Sequence, residues 1–265
     1  MNMQASTDGL YNAAEDLIGR NLVAGRGDKI AVIDVDGKHT YADLNRRARQ
    51  FANVLADLDI RAEQRIMLCM HDTVAFPACF LGAILAGVIP VPVNTRLSEK
   101  DYDYILADSR ACALVVSPDL LNAFEGHLDS HGNLHHVLVA GESTGSHQTL
   151  AALTEAELDD FQTAAMKPDD MCFWLYTSGT TGMPKGAVHL HSHLVETADL
   201  YAIPTLGINQ NDVVYSAAKL FFAYGLGNAL TFPFAVGATA ILLEGPPMPS
   251  AVAAILKDHQ PTIFF

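Results

Sequence analysis

The chain has 265 residues, half of them hydrophobic, with 16 basic against 30 acidic side chains and a formal charge of −14. That length can bury a large core in one domain or two small ones, and the chain is too apolar to be disordered throughout. A field of that sign repels phosphate backbones, so nucleic acid is excluded as an expected partner.

From Leu10 a helical pattern runs to Gly25 and Gly27, and "KIAVIDV" then reads as a strand that turns at Asp36-Gly37, a hairpin signal. Thr40, with Asp43 three residues on, resembles a capping box opening a helix through about Leu58. Within that helix Arg46, Arg47 and Arg49 read as a solvated face. Strand "RIMLCM", helix 73–86 and strand "VIPVPV" follow. Ser98 with Asp101 starts the helix "SEKDYDYILADS", and "CALVV" and "HHVLVA" are strands. "GESTGSHQ", Gly141 to Gln148, has the composition of a phosphate loop, yet it lacks a lysine and a following apolar helix, so it reads as a surface loop. After an acidic connector around Asp159–Asp170 come the strand "MCFWLY", a loop, the short strand "GAVHL" and a helix near Ser192–Leu206. "DVVYSAA" is a strand, 225–236 a helix, "ATAILL" a strand, 249–259 a helix and "TIFF" a strand.

Strand and helix alternate, which implies the α/β class, with parallel sheets covered by helices through right-handed crossovers. Two runs, Thr73 to Thr95 and Leu220 to Leu243, carry no charge over more than twenty residues and are long enough for a bilayer. Pro77, Gly82, Gly87, Pro90 and Pro92 interrupt the first, and Gly225, Gly227, Asn228, Pro233 and Gly237 the second. Each therefore reads as a short buried helix followed by a strand, and no membrane association is expected. Cys69, Cys79, Cys112 and Cys172 form no C-x-x-C pair, and three lie in apolar runs, as buried thiols of a reducing compartment do. The first residues show no basic-then-apolar leader, so a cytoplasmic location is expected. "PTIFF" is a buried-type strand with nothing polar after it, which leads us to expect a fragment of something longer.

The most informative stretch is "YTSGTTGMPKG", Tyr176 to Gly186. Glycines let successive backbone N–H groups converge on an anion, the hydroxyls of Thr177, Ser178, Thr180 and Thr181 add neutral donors, and Lys185 adds one ammonium. Such a set suits a polyphosphate. It is not a Walker A loop, because Met183-Pro184 separates Gly182 from Lys185. His189, His191 and His193 alternate and would share one face of a strand, which invites a metal. No carboxylate or cysteine accompanies them at ligand spacing and the strand should end near Leu190, so no metal is expected there.

"YTSGTTGMPKG" resembles the signature phosphate loop of the adenylate-forming acyl-CoA synthetase superfamily. Downstream, "KLFFAYGLGN" stands where members often carry a P-x-F-H-x-x-G-like segment, with Lys219 in place of Pro and Phe222 in place of His. That version is similar to benzoate-CoA ligases and relatives acting on hydroxy- or aminobenzoates; from the residues alone, "LFFAYG" reads as core before a helix. The resemblance implies layered sheets with helices between and outside them, the N-terminal part of the family's large domain, with 1–170 as a first α/β subdomain and 171–265 as the start of a second. It implies ATP, Mg²⁺ and CoA as co-substrates and an aromatic acid as the molecule activated. Thr177, Ser178, Gly179, Thr180, Thr181, Gly182 and Lys185 would grip the β- and γ-phosphates, and Phe222, Ala223, Tyr224 and Gly225 would line the acyl pocket. His191 aligns with a histidine that packs or caps at a helix start. By family architecture the catalytic Lys, the Glu that helps hold Mg²⁺ and the ribose-binding Asp lie beyond residue 265, so these residues alone should bind ATP weakly and not complete turnover. A ligase for another small or medium acid and a catalytically incompetent nucleotide-binding fragment are the alternatives, and a homodimer stays open.

Overall fold

A computed structural model describes residues 9–142, 145–155, 157–177 and 182–265. The chain opens with helix α1 (Ala13–Val23), strands β1 (Ile30–Asp34) and β2 (Gly37–Thr40), and helix α2 (Tyr41–Asp57). Then come β3 (Arg65–Cys69), α3 (Ala75–Leu85), β4 (Ile89–Pro92), α4 (Glu99–Ser109), β5 (Ala113–Val116), the single turn α5 (Asn122–Glu125) and β6 (His136–Val139). After β7 (Gln148–Thr149) and α6 (Leu150–Glu155), β8 (Met171–Thr177) and β9 (Lys185–Leu190) lead into α7 (His191–Thr197). The remainder is β10 (Val213–Tyr215), α8 (Ala223–Leu226), α9 (Phe232–Val236), β11 (Thr239–Ile241), α10 (Pro249–His259) and β12 (Ile263–Phe264).

The described residues form two five-stranded sheets, in the orders β12-β10-β11-β1-β2 and β4-β3-β5-β6-β7, and a two-stranded β8–β9 hairpin. The first sheet takes strands from both sides of residue 170. The second sheet is parallel throughout and buried on both faces, as the continuous apolar strands required. Ile66, Leu68, Ala113 and Val115 face a large core shared with α1, α2 and α3, while Met67, Cys69, Leu114 and Val116 face a smaller core under α4 and α5. Pro90 and Pro92 sit in β4 because it is an edge strand: Ile89 and Val93 donate toward β3, and the alternating prolines turn their donor-less nitrogens outward.

Helix α3 is buried at ten of its eleven residues, which accounts for the uncharged run from Thr73 as the central helix of a layered fold. Among the described residues no helix is long and apolar enough to cross a membrane. All four cysteines are buried and unpaired. The expected helix at Ser192–Leu206 begins one residue earlier as α7 and continues as a π-helical stretch over Ala198–Leu206. Pro204 lies inside that stretch, and a proline without a donor disrupts ordinary i to i−4 pairing. Residues 223–236 likewise wind continuously through α8, a π-helical turn (Gly227–Thr231) and α9.

Two local expectations need correction. Thr40 Oγ1 accepts from Asp43 N at 3.1 Å, a cap of about 1 kcal/mol, but Asp43 does not complete the box. Its carboxylate is taken by His39 at 3.2 Å, by Arg47 at 2.9 Å and by Arg46. Ser98 and Asp101 do form the reciprocal pair. Arg46 and Arg47 are solvated as read, whereas Arg49 is only 17% exposed and donates to Glu15 on α1 and to the Phe161 carbonyl, both at 2.7 Å. It clamps the connector after α6 to the helix layer.

His191 is buried at the start of α7 and its Nδ1 accepts from Ala13 N at 3.1 Å, satisfying a free donor at the N-terminus of α1. Asn12 Oδ1 takes the next two, from Ala14 at 3.1 Å and Glu15 at 3.3 Å. Burial pushes the His191 imidazole down to about 4, against the nearby Asp170 charge, so the acceptor nitrogen stays unprotonated. The unfolded chain takes a proton near pH 6.5 that the folded site refuses, so His191's stabilisation is complete above that pH and drains away toward pH 4. Lowering the pH from 7 to 5 should cost about 2 kcal/mol through this residue. Urea-unfolding midpoints across that range check it, and in His191→Gln this acid-sensitive component should vanish.

Candidate functional site

Hairpin β8–β9 carries the glycine- and hydroxyl-rich loop at its mouth. Its strands are antiparallel, because a short connection cannot supply the crossover that parallel strands need. Register sets Thr177 opposite Lys185 and Tyr176 opposite Gly186. Both Thr177 and Lys185 are exposed at the mouth. Ser178, Gly179, Thr180 and Thr181 lie outside the described residues. Gly182 has φ +115 with open space around it, so its backbone conformation is what asks for glycine.

The stem is held from both sides. A bulge between Met171 and Phe173 turns Cys172 and Phe173 together into the large core, where Leu175 follows. Trp174 and Tyr176 pack against the smaller core. Tyr176 Oη donates to Asp108 on α4 at 2.5 Å, and the Arg65 guanidinium lies 5.7 Å from the centre of the Trp174 ring. The tyrosine is pushed up by burial and then by Asp108, so it stays a donor. The three histidines do not share one face, since β9 ends at Leu190: His191 leaves the other two, while the rings of His189 and His193 meet edge-on at 5.6 Å. His189 stacks on Phe173 at 4.5 Å, His191 turns inward, and His193 Nδ1 accepts from Leu190 N at 3.2 Å. Among the described residues no cluster fit for a metal ion is found.

The second group lies elsewhere, after the carboxyl end of β10, where open α/β sheets place their ligands. Leu220 and Phe221 are buried, while Phe222 and Tyr224 are 48% and 62% exposed and Ala223 lies between them. Part of "LFFAYG" is thus core and part is an open aromatic surface, with Tyr224 edge-on to Phe265 at 6.1 Å and Phe222 against Phe221 at 4.6 Å. Gly225 is buried under the preceding turn, where an added Cβ would lie 2.0 Å from the Lys219 carbonyl oxygen. Only glycine permits that approach.

Sequence reasoning missed what holds this segment. Asp72, just past β3 in the other sheet, is 4% exposed and accepts from Leu220 N at 3.3 Å with each carboxylate oxygen. Its partner is Lys219, whose Nζ lies 3.5 Å from Oδ2 and also donates to the carbonyls of Leu243 and of Glu244, the latter at 3.2 Å. Burial pushes the Asp72 carboxyl up to about 6, against the pull of Lys219, the Leu220 N–H and His71; burial also lowers the Lys219 ammonium. Breaking such a pair from one side costs about 3–5 kcal/mol. Tyr215 Oη and Asn228 Nδ2, flanking the segment in sequence, are buried without a hydrogen-bond partner among the described residues. A separate cleft lined by Arg46, Arg47, Gln50 and Thr154 contains none of the expected site residues.

Comparison with known proteins identifies the family. The chain is 52% identical over 256 residues to a benzoate–CoA ligase of Thauera aromatica, covering 96% of this chain and 48% of the relative. It is 42% identical over 255 residues to a 4-hydroxybenzoate–CoA/benzoate–CoA ligase of Rhodopseudomonas palustris, covering 96% and 47%. Among solved structures, a benzoate CoA ligase from Burkholderia xenovorans LB400 superposes with a TM-score of 0.89 at 46% identity, covering 96% of this chain and 50% of that one. The anthranilate CoA ligase AuaEII, solved with anthranoyl-AMP, superposes at 0.93 with 32% identity, covering 100% and 50%. The chain therefore spans about half the length of the relatives it matches. The family model for AMP-binding enzymes matches residues 20–265, and the chain belongs to that family.

Proposed function

We propose that the protein carrying this chain activates an aromatic carboxylate of the benzoate type, using ATP with Mg²⁺ and then CoA. A carboxylate oxygen attacks the α-phosphorus, the bond to the bridging oxygen breaks and diphosphate leaves; the CoA thiol then displaces AMP from the acyl-adenylate. The observation that carries the reading is the register of the hairpin, which holds Lys185 opposite Thr177 at the mouth of a loop built of glycines and hydroxyls. In this proposal Thr177, Ser178, Gly179, Thr180, Thr181, Gly182 and Lys185 bind the β- and γ-phosphates, where charge develops on the leaving group. Phe222, Ala223, Tyr224 and Gly225 supply a flat apolar wall for the ring of the acid. The names of the two benzoate-type ligases described above support the substrate class, and the exposed aromatic pair beside a small Ala223 fits it. The four buried thiols fit a reducing compartment, and we place the protein in the cytoplasm.

ATP–pyrophosphate exchange by the full-length protein tests this, with benzoate, its hydroxy and amino derivatives and a fatty acid as candidate substrates. Exchange should be strongest with an aromatic acid. Lys185→Ala should lower it about 100-fold with an unchanged urea midpoint, since the side chain is exposed; undiminished exchange would remove the phosphate assignment. Gly225→Ala should force the segment off Lys219, raising KM for the aromatic acid at least tenfold while KM for ATP stays put.

A further inference from the structure

We infer that the buried Asp72–Lys219 pair is a positioning device for the acid-binding segment: it sets where Phe222, Ala223 and Tyr224 stand, and so tunes the affinity for the aromatic acid. The inference rests on the acyl-site assignment proposed above.

The argument begins with what could otherwise hold those three residues. Phe222 and Tyr224 are 48% and 62% exposed, and among the described residues their rings meet the rings of Phe221 and Phe265 without a side-chain hydrogen bond to hold them. Their place is therefore set by the backbone from Lys219 to Leu226. Phe222 N donates to the Lys219 carbonyl at 3.0 Å, Leu226 N to the Phe222 carbonyl at 2.8 Å, and Gly225 packs onto the same Lys219 carbonyl. Each of these contacts leads back to residue 219. Lys219 is in turn fixed through its ammonium, which meets oxygens from two directions: the carbonyls of Leu243 and Glu244 just past β11, and the Asp72 carboxylate just past β3. Asp72 takes the next residue as well, through Leu220 N.

The pair thus joins the carboxyl ends of β10 and β11 in one sheet to the carboxyl end of β3 in the other. A lysine contact 24 residues along the chain and a carboxylate contact 148 residues away anchor the locally bonded turn to the two sheets. The side chains are 13% and 5% exposed, so neither charge has bulk water as a substitute partner. His71 and Asp119 face one another at 2.9 Å at the outer side of this corner, and Tyr215 lies on the inner side. Besides Asp72, the Glu244 charge also favours the Lys219 ammonium.

Three variants of the full-length protein test the inference by pyrophosphate exchange and by amide hydrogen exchange of the peptide spanning 219–226. They are Lys219→Met, Asp72→Asn and the double variant, which leaves no orphaned charge and keeps the protein folded where a single change does not. A folded variant should raise KM for the preferred aromatic acid at least tenfold, hold KM for ATP within twofold, and lose protection at Leu220 and Phe222. If the double variant unfolds like wild type and binds the acid within twofold of wild type, the pair is only structural and the inference is overturned. A parallel rise in both KM values overturns it too. Wild-type protein that exchanges pyrophosphate with no aromatic acid overturns the functional proposal itself, and the positioning role with it.

Discussion

Two buried carboxylates stitch the sheets together at their carboxyl ends, and the placement of the candidate site depends on them. Asp34, at the end of β1, has a side chain with no exposure; it accepts from Asp36 N and Gly37 N at 3.0 and 3.2 Å, from His39 at 3.0 Å and, across the sheets, from Val74 N at 2.6 Å just ahead of α3. Asp72 makes the reciprocal crossing from the second sheet to Leu220 and Lys219 of the first. A carboxylate away from water is tolerable only when its lone pairs are filled, so each crossing fixes several backbone donors at once. The apolar layer of α1, α2 and α3 supplies most of the cohesion between the sheets, but hydrophobic contact is non-directional. Directional bonds at one end decide how the loops emerging there are aimed.

The division between what was legible in the chain and what was not follows the range of the interactions. Local signals read well. Asp36-Gly37 closed a hairpin, Ser98 and Asp101 capped α4, and the glycines and prolines in the two uncharged runs separated buried helices from strands. The phosphate role proposed for the loop rests on residue types alone: glycine for approach, hydroxyls and an ammonium for donation. The structure adds the register that faces Lys185 toward Thr177.

What stayed hidden has partners far away in sequence. Asp72 reads as one polar residue ahead of an apolar helix, and nothing near it announces a bond 148 residues on. Arg49 shares a helix face with two solvated arginines and differs only because Glu15 and Phe161 arrive from elsewhere. The widened windings at Ala198–Leu206 and Gly227–Thr231 depend on how those helices pack, and an apolar pattern looks the same in either winding. "LFFAYG" was ambiguous for a good physical reason. Its first aromatic is core and its second is surface, and composition cannot tell a buried ring from a waiting one.

The charge balance bears on how the proposed substrates are held. A protein at −14 opposes both a nucleoside triphosphate and a carboxylic acid at long range. That opposition decays over about 8 Å at physiological ionic strength, so affinity is decided by the groups in contact. For the phosphates the chain offers, in this proposal, neutral amides and hydroxyls with the exposed Lys185 beside them. For the acid it offers no such cation along the segment, because Lys219 is already matched by Asp72 and two carbonyls. A segment whose one charge is consumed internally presents rings alone. In the proposed function the segment would therefore meet the ring of the acid and not its carboxylate.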